Sequence, residues 1–247
     1  MNYNKMYILI TGGSGLIGEE LISGFLEKKN KVHFTCTSNK EGLRVLKKFN
    51  NKNLQYSIMN INTKDDIYDF IKKNKMKKFT NIIHAARSLN TLKISKSIKK
   101  NLLNFEKEFL IGNVLPYALF ETYKKSLKNF VFISSMYGVV PPNRNLYPDE
   151  YKNSAINYGV SKSAQIHLTK ELAVRYSKSK IRVNSVSFGG FEGRVNKTFL
   201  KKYSLMCPIG RMLKKSEAFG PVWFLSSDLS KGTTGHNLVV DGGWSVW

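Results

Sequence analysis

Tyr7-Ile8-Leu9-Ile10-Thr11-Gly12-Gly13-Ser14-Gly15-Leu16-Ile17-Gly18 is the stretch that decides the fold. Its four leading apolar residues read as a buried strand, and the glycines follow at once and open a helix over roughly 16–28. In that context each glycine has a task. Gly12 permits a tight turn, Gly15 lets backbone approach a pyrophosphate, and Gly18 lets helix and strand pack closely. The new helix then offers unsatisfied N–H groups to an anion.

Outward from this turn the chain alternates strand and helix to its end. Strands are expected at 32–35, 54–59, 81–84, 130–134, 182–188 and 238–240, with helices at 41–49, from Thr63 onward, across much of 101–125, and from Tyr158 to about Ser177. Thr63 is a good N-cap, Asp65 and Asp66 suit a first helical turn, and Pro116 should kink the long helix. Strands separated by helices imply right-handed crossovers and a mostly parallel sheet covered on both faces. The expected fold class is therefore α/β, one doubly wound domain over residues 1–247.

The 247 residues are 42% apolar and 12% aromatic, which suits a globular chain and argues against disorder. No apolar run approaches the roughly 20 residues of a membrane span. Met1 to Lys5 run directly into the first strand without a signal-peptide pattern. Cys36 and Cys207 sit in neither a metal-ligand nor a redox motif. The expectation is a reduced, soluble, cytoplasmic protein without a metal. A formal net charge of +23 invites an anionic partner, either nucleic acid or a charged small substrate. The lysine pairs are scattered over several elements, however, so a compositional bias on solvated faces fits better and no nucleic-acid partner is expected.

After the second strand comes Cys36-Thr37-Ser38-Asn39-Lys40, with no acid until Glu41 and no arginine. The hydroxyls of Thr37 and Ser38 and the charge of Lys40 lean toward NADP rather than NAD, which an acid at this place would favour. Asn60, after the third strand, can meet an adenine edge. Tyr158-Gly159-Val160-Ser161-Lys162 places a phenol and an ammonium on one helix face. A lysine so placed favours phenolate and lowers a tyrosine pKa by roughly 1–3 units, into the range general acid–base chemistry uses. Ser135, with Ser134 as its competitor, ends the fifth strand, where open α/β sheets bind ligands. Asn113 would hold a water for a proton relay behind Lys162.

These residues, in this order, followed by Asn184-Ser185-Val186-Ser187 and Val240-Asp241-Gly242-Gly243-Trp244, resemble the short-chain dehydrogenase/reductase superfamily over essentially the whole chain. The resemblance implies a Rossmann fold with a seven-stranded parallel sheet, NADP(H) or NAD(H) as hydride carrier, and a homodimer or homotetramer. It implies Tyr158 as acid/base, Lys162 on the ribose hydroxyls, Ser135 on the reacting oxygen and Asn113 in the relay. Gly12, Ser14, Gly15, Leu16, Ile17, Gly18, Thr37, Ser38, Asn60, Ile61, Ala85, Ala86 and Gly189 would line the cofactor together with Tyr158 and Lys162. Residues 1–95 would be mainly the dinucleotide-binding half and 96–247 the catalytic half, with a substrate lid at about 191–206, where Arg194, Lys197 and Tyr203 are candidate contacts.

The departures carry the substrate clue. His84-Ala85-Ala86-Arg87 replaces the usual Asn-Asn-Ala-Gly, and Phe188 replaces a proline. The segment from Val139 to Tyr151 is an insertion that leaves the fifth strand and returns at the mouth of the site. Arg87, Arg144 and Gly190 are candidate substrate contacts. Ser135 to Val140 and the Trp244-x-x-Trp247 tail are similar to a subgroup linked to surface-glycan and flagellin-sugar biosynthesis. The expected substrate is thus a sugar-derived anion, a phosphorylated or nucleotide sugar. The alternatives are a 3-oxoacyl carrier-protein reductase or other ketoreductase, which the Thr35-x-Thr37-Ser38 stretch resembles, and a non-catalytic NAD(P)-sensing regulator.

Overall fold

A computed structural model describes residues 5–92, 94–147, 154–193 and 195–246. Seven parallel strands are built from the apolar runs: β1 (Tyr7–Thr11), β2 (Lys31–Cys36), β3 (Leu54–Ile58), β4 (Asn81–His84), β5 (Asn129–Ser135), β6 (Arg182–Phe188) and β7 (Asn237–Val240). They lie in the order β3-β2-β1-β4-β5-β6-β7. The direction of winding reverses between β1 and β4, which opens a crevice at the carboxyl ends of those strands.

Side-chain alternation along the strands divides the core into two layers. Ile8, Ile10, Ile83, Val131, Ile133 and Val186 face α1 (Leu16–Glu27), α2 (Asn39–Phe49) and α8 (Phe219–Ser226). Leu9, Ile82, Phe130, Phe132 and Val183 face α3 (Lys64–Asn74), α5 (Leu115–Tyr123) and α6 (Ile156–Arg175). Helix α3 opens on the expected cap, with Thr63 and Asp66 forming a reciprocal capping box. The long helix before β5 divides into α4 (Ile98–Phe109), a π-helical turn (Leu110–Val114) and α5, so the distortion expected at Pro116 lies just before it.

Two helices were not resolved by the sequence pattern: α7 (Lys197–Met206), within the expected lid, and α8. The latter ends against the amino edge of the sheet. Asn81 donates to the Ser226 carbonyl at 3.1 Å and Asn129 to the Leu225 carbonyl at 2.7 Å. Arg182 donates to the carbonyls of Leu225 and Ser227, each at 2.9 Å. Three side chains that begin β4, β5 and β6 thus cap one helix terminus, and the guanidinium complements its negative end.

Candidate active site

The glycine turn is strapped from three sides. Gly12 has φ +69° and its Cα hydrogen faces the loop after β4 so closely that a Cβ would lie 2.8 Å from Ala86 Cα. A Cβ on Gly18 would strike the Gly12 carbonyl, so α1 presses directly on the turn. Thr35 accepts from the Gly12 amide at 3.1 Å. Thr11 accepts from the amides of Ala85 and Ala86, both at 3.1 Å, and lies 3.0 Å from His84 Nδ1. Two amides fill the hydroxyl's lone pairs, so its proton goes to Nδ1 and His84 carries its own proton on Nε2. Burial pushes the His84 pKa down to about 3, so it stays neutral.

Helix α1 begins at Gly15 with no side-chain cap. Its first amides, at Leu16, Ile17 and Gly18, therefore suit a diphosphate. Of the residues expected near the cofactor, Ser14 is half-buried, Thr37, Ser38, Lys40 and Asn60 are exposed, and Ile61 is buried. Ser38 caps α2, accepting from the Glu41 amide at 3.3 Å. The structure adds a residue that lay too far along the chain to be placed by pattern: Arg44 donates to the Ser14 carbonyl at 3.1 Å. It pairs with Glu19 at 2.7 Å and Glu41 at 3.0 Å. A guanidinium thus adjoins the glycine turn although no arginine occurs in the Cys36–Lys40 stretch.

At the carboxyl end of β5 the chemical residues converge. Tyr158 stands in the first turn of α6, half-buried, with Lys162 Nζ 5.7 Å from its ring centroid. Lys162 is buried and donates to the Ile133 carbonyl at 2.8 Å and to Gln165 Oε1 at 3.1 Å. Burial pushes its pKa down to about 8; the nearby Arg87 charge acts the same way and buried Glu108 opposes it. Ser134 donates to the Lys162 carbonyl at 2.9 Å, which commits its proton to holding β5 against α6. Ser135 accepts from the Tyr137 amide at 3.2 Å and keeps its own proton free. The two neighbouring serines thus differ in the hydrogen bonds they make.

Asn113 lies in the π-helical turn, where its Nδ2 donates to Ser161 Oγ at 2.9 Å rather than reaching Lys162. Its Oδ1 is buried without a partner among the described residues. Arg87 also lies against Tyr158, its guanidinium carbon 5.6 Å from the ring centroid.

On the side where substrate is expected, aromatic and sulfur side chains form a cluster. Tyr203 of α7 is buried, stacked on Trp244 at 4.4 Å, and accepts from the Gly190 amide at 3.0 Å. It anchors α7 to the chain that follows β6 rather than facing solvent. Gly189, behind it, donates to the Val240 carbonyl at 2.9 Å. The inserted loop is tied to the same cluster: Leu146 is buried in it, the Tyr137 and Tyr147 hydroxyls are 3.0 Å apart, and Tyr147 meets Phe199 edge-on at 5.7 Å. Arg144 and Lys197 are exposed. The rest of the loop from Pro148 to Asn153, Arg194 and Trp247 lie outside the described residues. No group of three or more His, Cys, Asp or Glu side chains able to hold a metal is gathered among the described residues, and no helix there is long and apolar enough to cross a membrane.

Residues 149–245 match the family described as enoyl-(acyl carrier protein) reductase. The chain is 29% identical over 255 residues to the post-translational flagellin modification protein A of Campylobacter coli, covering 98% of this chain and 99% of that one. It is 38% identical to the ribulose-forming D-arabinitol 2-dehydrogenase of Candida tropicalis over 98 residues, 36% of this chain and 35% of that one. Among solved structures, the short-chain dehydrogenase of Leptospira borgpetersenii with bound NAD+ superposes with a TM-score of 0.81 at 25% identity, covering 98% of this chain and 94% of that one.

Proposed function

The chain belongs to the short-chain dehydrogenase/reductase family and is an oxidoreductase, and from that premise we propose that it interconverts a hydroxyl and a ketone on a sugar-derived, anionic substrate. The observation that carries the substrate reading is Arg87. This half-buried guanidinium lies against the Tyr158 ring and makes no ion pair among the described residues. A planar fork of donors beside the reacting oxygen suits a carboxylate or phosphate on the substrate. The relatives named for flagellin modification and for D-arabinitol oxidation agree with a sugar-like ligand.

The nicotinamide cofactor, held by the Gly12–Gly18 turn and the uncapped start of α1, supplies or accepts the hydride. Thr37, Ser38, Lys40 and Arg44 favour its NADP form, and Asn60, Ile61, Ala85, Ala86 and Gly189 complete its lining. Tyr158 gives its proton to the substrate oxygen in reduction and takes it back in oxidation. Ser135 donates its free proton to that same oxygen. Lys162 has three N–H groups, two of which are committed to Ile133 and Gln165. The third is left for the ribose hydroxyls, while the charge favours a Tyr158 phenolate. Asn113 holds a relay water through Oδ1. Arg144 and Gly190 meet the distal part of the substrate under the lid.

Exposed Ile98 and Leu102, one turn apart on α4, with Leu103 beside them, support assembly into a homodimer or homotetramer. The two buried free thiols, Cys36 and Cys207, suit a cytoplasmic setting. The test is turnover with sugar phosphates and nucleotide sugars against acetoacetyl thioester, for wild type and Arg87→Met. We expect sugar-phosphate turnover and a loss of about tenfold to a hundredfold in kcat/KM for the variant, the range of one charged hydrogen bond. Thioester reduction alone, unaffected by Arg87→Met, would replace this reading with a carrier-protein reductase.

A further inference from the structure

Lys162 is held by a side chain that neither the Tyr-x-x-x-Lys pattern nor the glycine turn points to. Gln165, three residues on along α6, is fully buried. Its Oε1 accepts from Lys162 Nζ at 3.1 Å, and its Nε2 donates to the Gly112 carbonyl at 2.6 Å. The second bond has a cause in the sequence. In an α-helix the Gly112 carbonyl would accept from the amide four residues later. That residue is Pro116, which has no N–H, and its ring crowds the carbonyl it cannot serve. The helix widens there into a π-helical turn, in which Leu115 N donates to Leu110 O, five residues back.

A buried carbonyl deprived of its donor needs another. The Gln165 amide nitrogen is that donor, and using it turns the amide oxygen toward Lys162. Only a side chain with a donor and an acceptor on one rigid amide can serve both ends. We propose that Gln165 is a positioning residue for Lys162: the donor gap left by Pro116 fixes the Gln165 amide, and the fixed amide holds the ammonium in place and charged. The other groups around Lys162 are Glu108 from α4, Arg87 and His84 from β4 and the loop after it, and Tyr158 from its own helix. Of these Glu108 favours the charge, Arg87 opposes it, and His84 is neutral.

The proposal depends on the preceding reading only in that Lys162 is the group held, so it is tested on the protein without substrate. Lysines labelled with carbon-13 at Cε are titrated by NMR, and the Lys162 signal is the one missing from Lys162→Arg. Wild type should titrate near 8. Gln165→Met should lower that midpoint by about one pH unit, the size of one hydrogen bond to a charged group. Gln165→Glu, which puts a carboxylate on the ammonium, should raise it by about as much. Both variants lose the donor to Gly112, so a gap-filling role alone would lower both melting temperatures and leave the Gln165→Met midpoint unmoved; that result overturns the proposal.

Pro116→Ala returns a backbone amide to the Gly112 carbonyl. Combined with Gln165→Met it should recover part of the lost melting temperature while keeping the low midpoint, which secures the reading should the single variant be poorly folded. Equal midpoints in the double variant and wild type count against the proposal. Midpoints that move as expected while NADH and NADPH affinities stay unchanged uphold Gln165 and overturn the role given to Lys162 in the proposed reaction.

Discussion

Replacing Lys162 by Met should make the stability difference between variant and wild type depend steeply on pH. In the free side chain the ammonium titrates at 10.5, and in its buried place at about 8. Below pH 8 folded and unfolded chains both carry the proton, and the wild type bears the full cost of burying the charge. Between 8 and 10.5 the folded chain has lost the proton while the unfolded chain still binds it, so wild-type stability rises with pH across that window. At 1.36 kcal/mol per pH unit the rise is about 3 kcal/mol. Lys162→Met has no such proton, and the acceptors it strands on Ile133 and Gln165 contribute a loss that does not vary with pH. The quantity to follow is wild-type minus variant unfolding free energy, from urea curves at intervals between pH 7 and 10.5; other groups cancel in the difference. We expect it to grow by about 3 kcal/mol, equivalent to roughly 6–12 °C in melting temperature at this chain length. A difference that stays flat would mean that the lysine is not buried with its charge, and would remove the electrostatic basis of the site.

Three further outcomes are expected. Tyr158→Phe should abolish turnover while the melting-temperature shift given by NADPH or NADH persists, because only the proton donor is lost; retained turnover would sink the mechanism. Gly18→Ala places a methyl group against the Gly12 carbonyl, and should cost about 1–3 kcal/mol in urea unfolding and weaken cofactor affinity by tenfold or more; an unchanged affinity would separate this turn from the cofactor. Tyr203→Phe leaves the Gly190 amide without its acceptor, so stability should fall by about 1–3 kcal/mol with the KM of substrate raised more than kcat is lowered; equal loss in both would place Tyr203 at the chemistry instead.

Much of this arrangement could be read from the chain because its signals were local. The strand–turn–helix at Tyr7–Gly18, the Thr63 cap, and the pairing of Tyr158 with Lys162 are each set by residues within one helical turn or strand of one another. What escaped is set by contacts across the fold. Helix α8 buries Val222, Trp223 and Leu225 on more than one side, so it has no amphipathic period, and Gly220-Pro221 near its start resembles a break. Arg44 reaches a carbonyl 30 residues away. Ser134 and Ser135 are adjacent and chemically alike, and the position of the Lys162 carbonyl is what makes their hydrogen bonding differ. Pro116 was legible as a disturbance, but its consequence was not, since the donor it withholds is returned from another helix.

The cap on α8 also dates the molecule's assembly during translation. Asn81 meets Ser226 across 145 residues of chain, and at about 5–20 residues per second the ribosome needs roughly 7–30 s to deliver the second after the first. Through that interval the amino edge of β4, and later of β5 and β6, waits with these donors unfilled and the part of the sheet under α8 uncovered. The nascent chain is thus sticky for most of its synthesis and closes only near its end. It is a candidate client for chaperones that bind nascent chains, and a message cut short before the codons for α8 yields a product fit for degradation rather than a smaller enzyme.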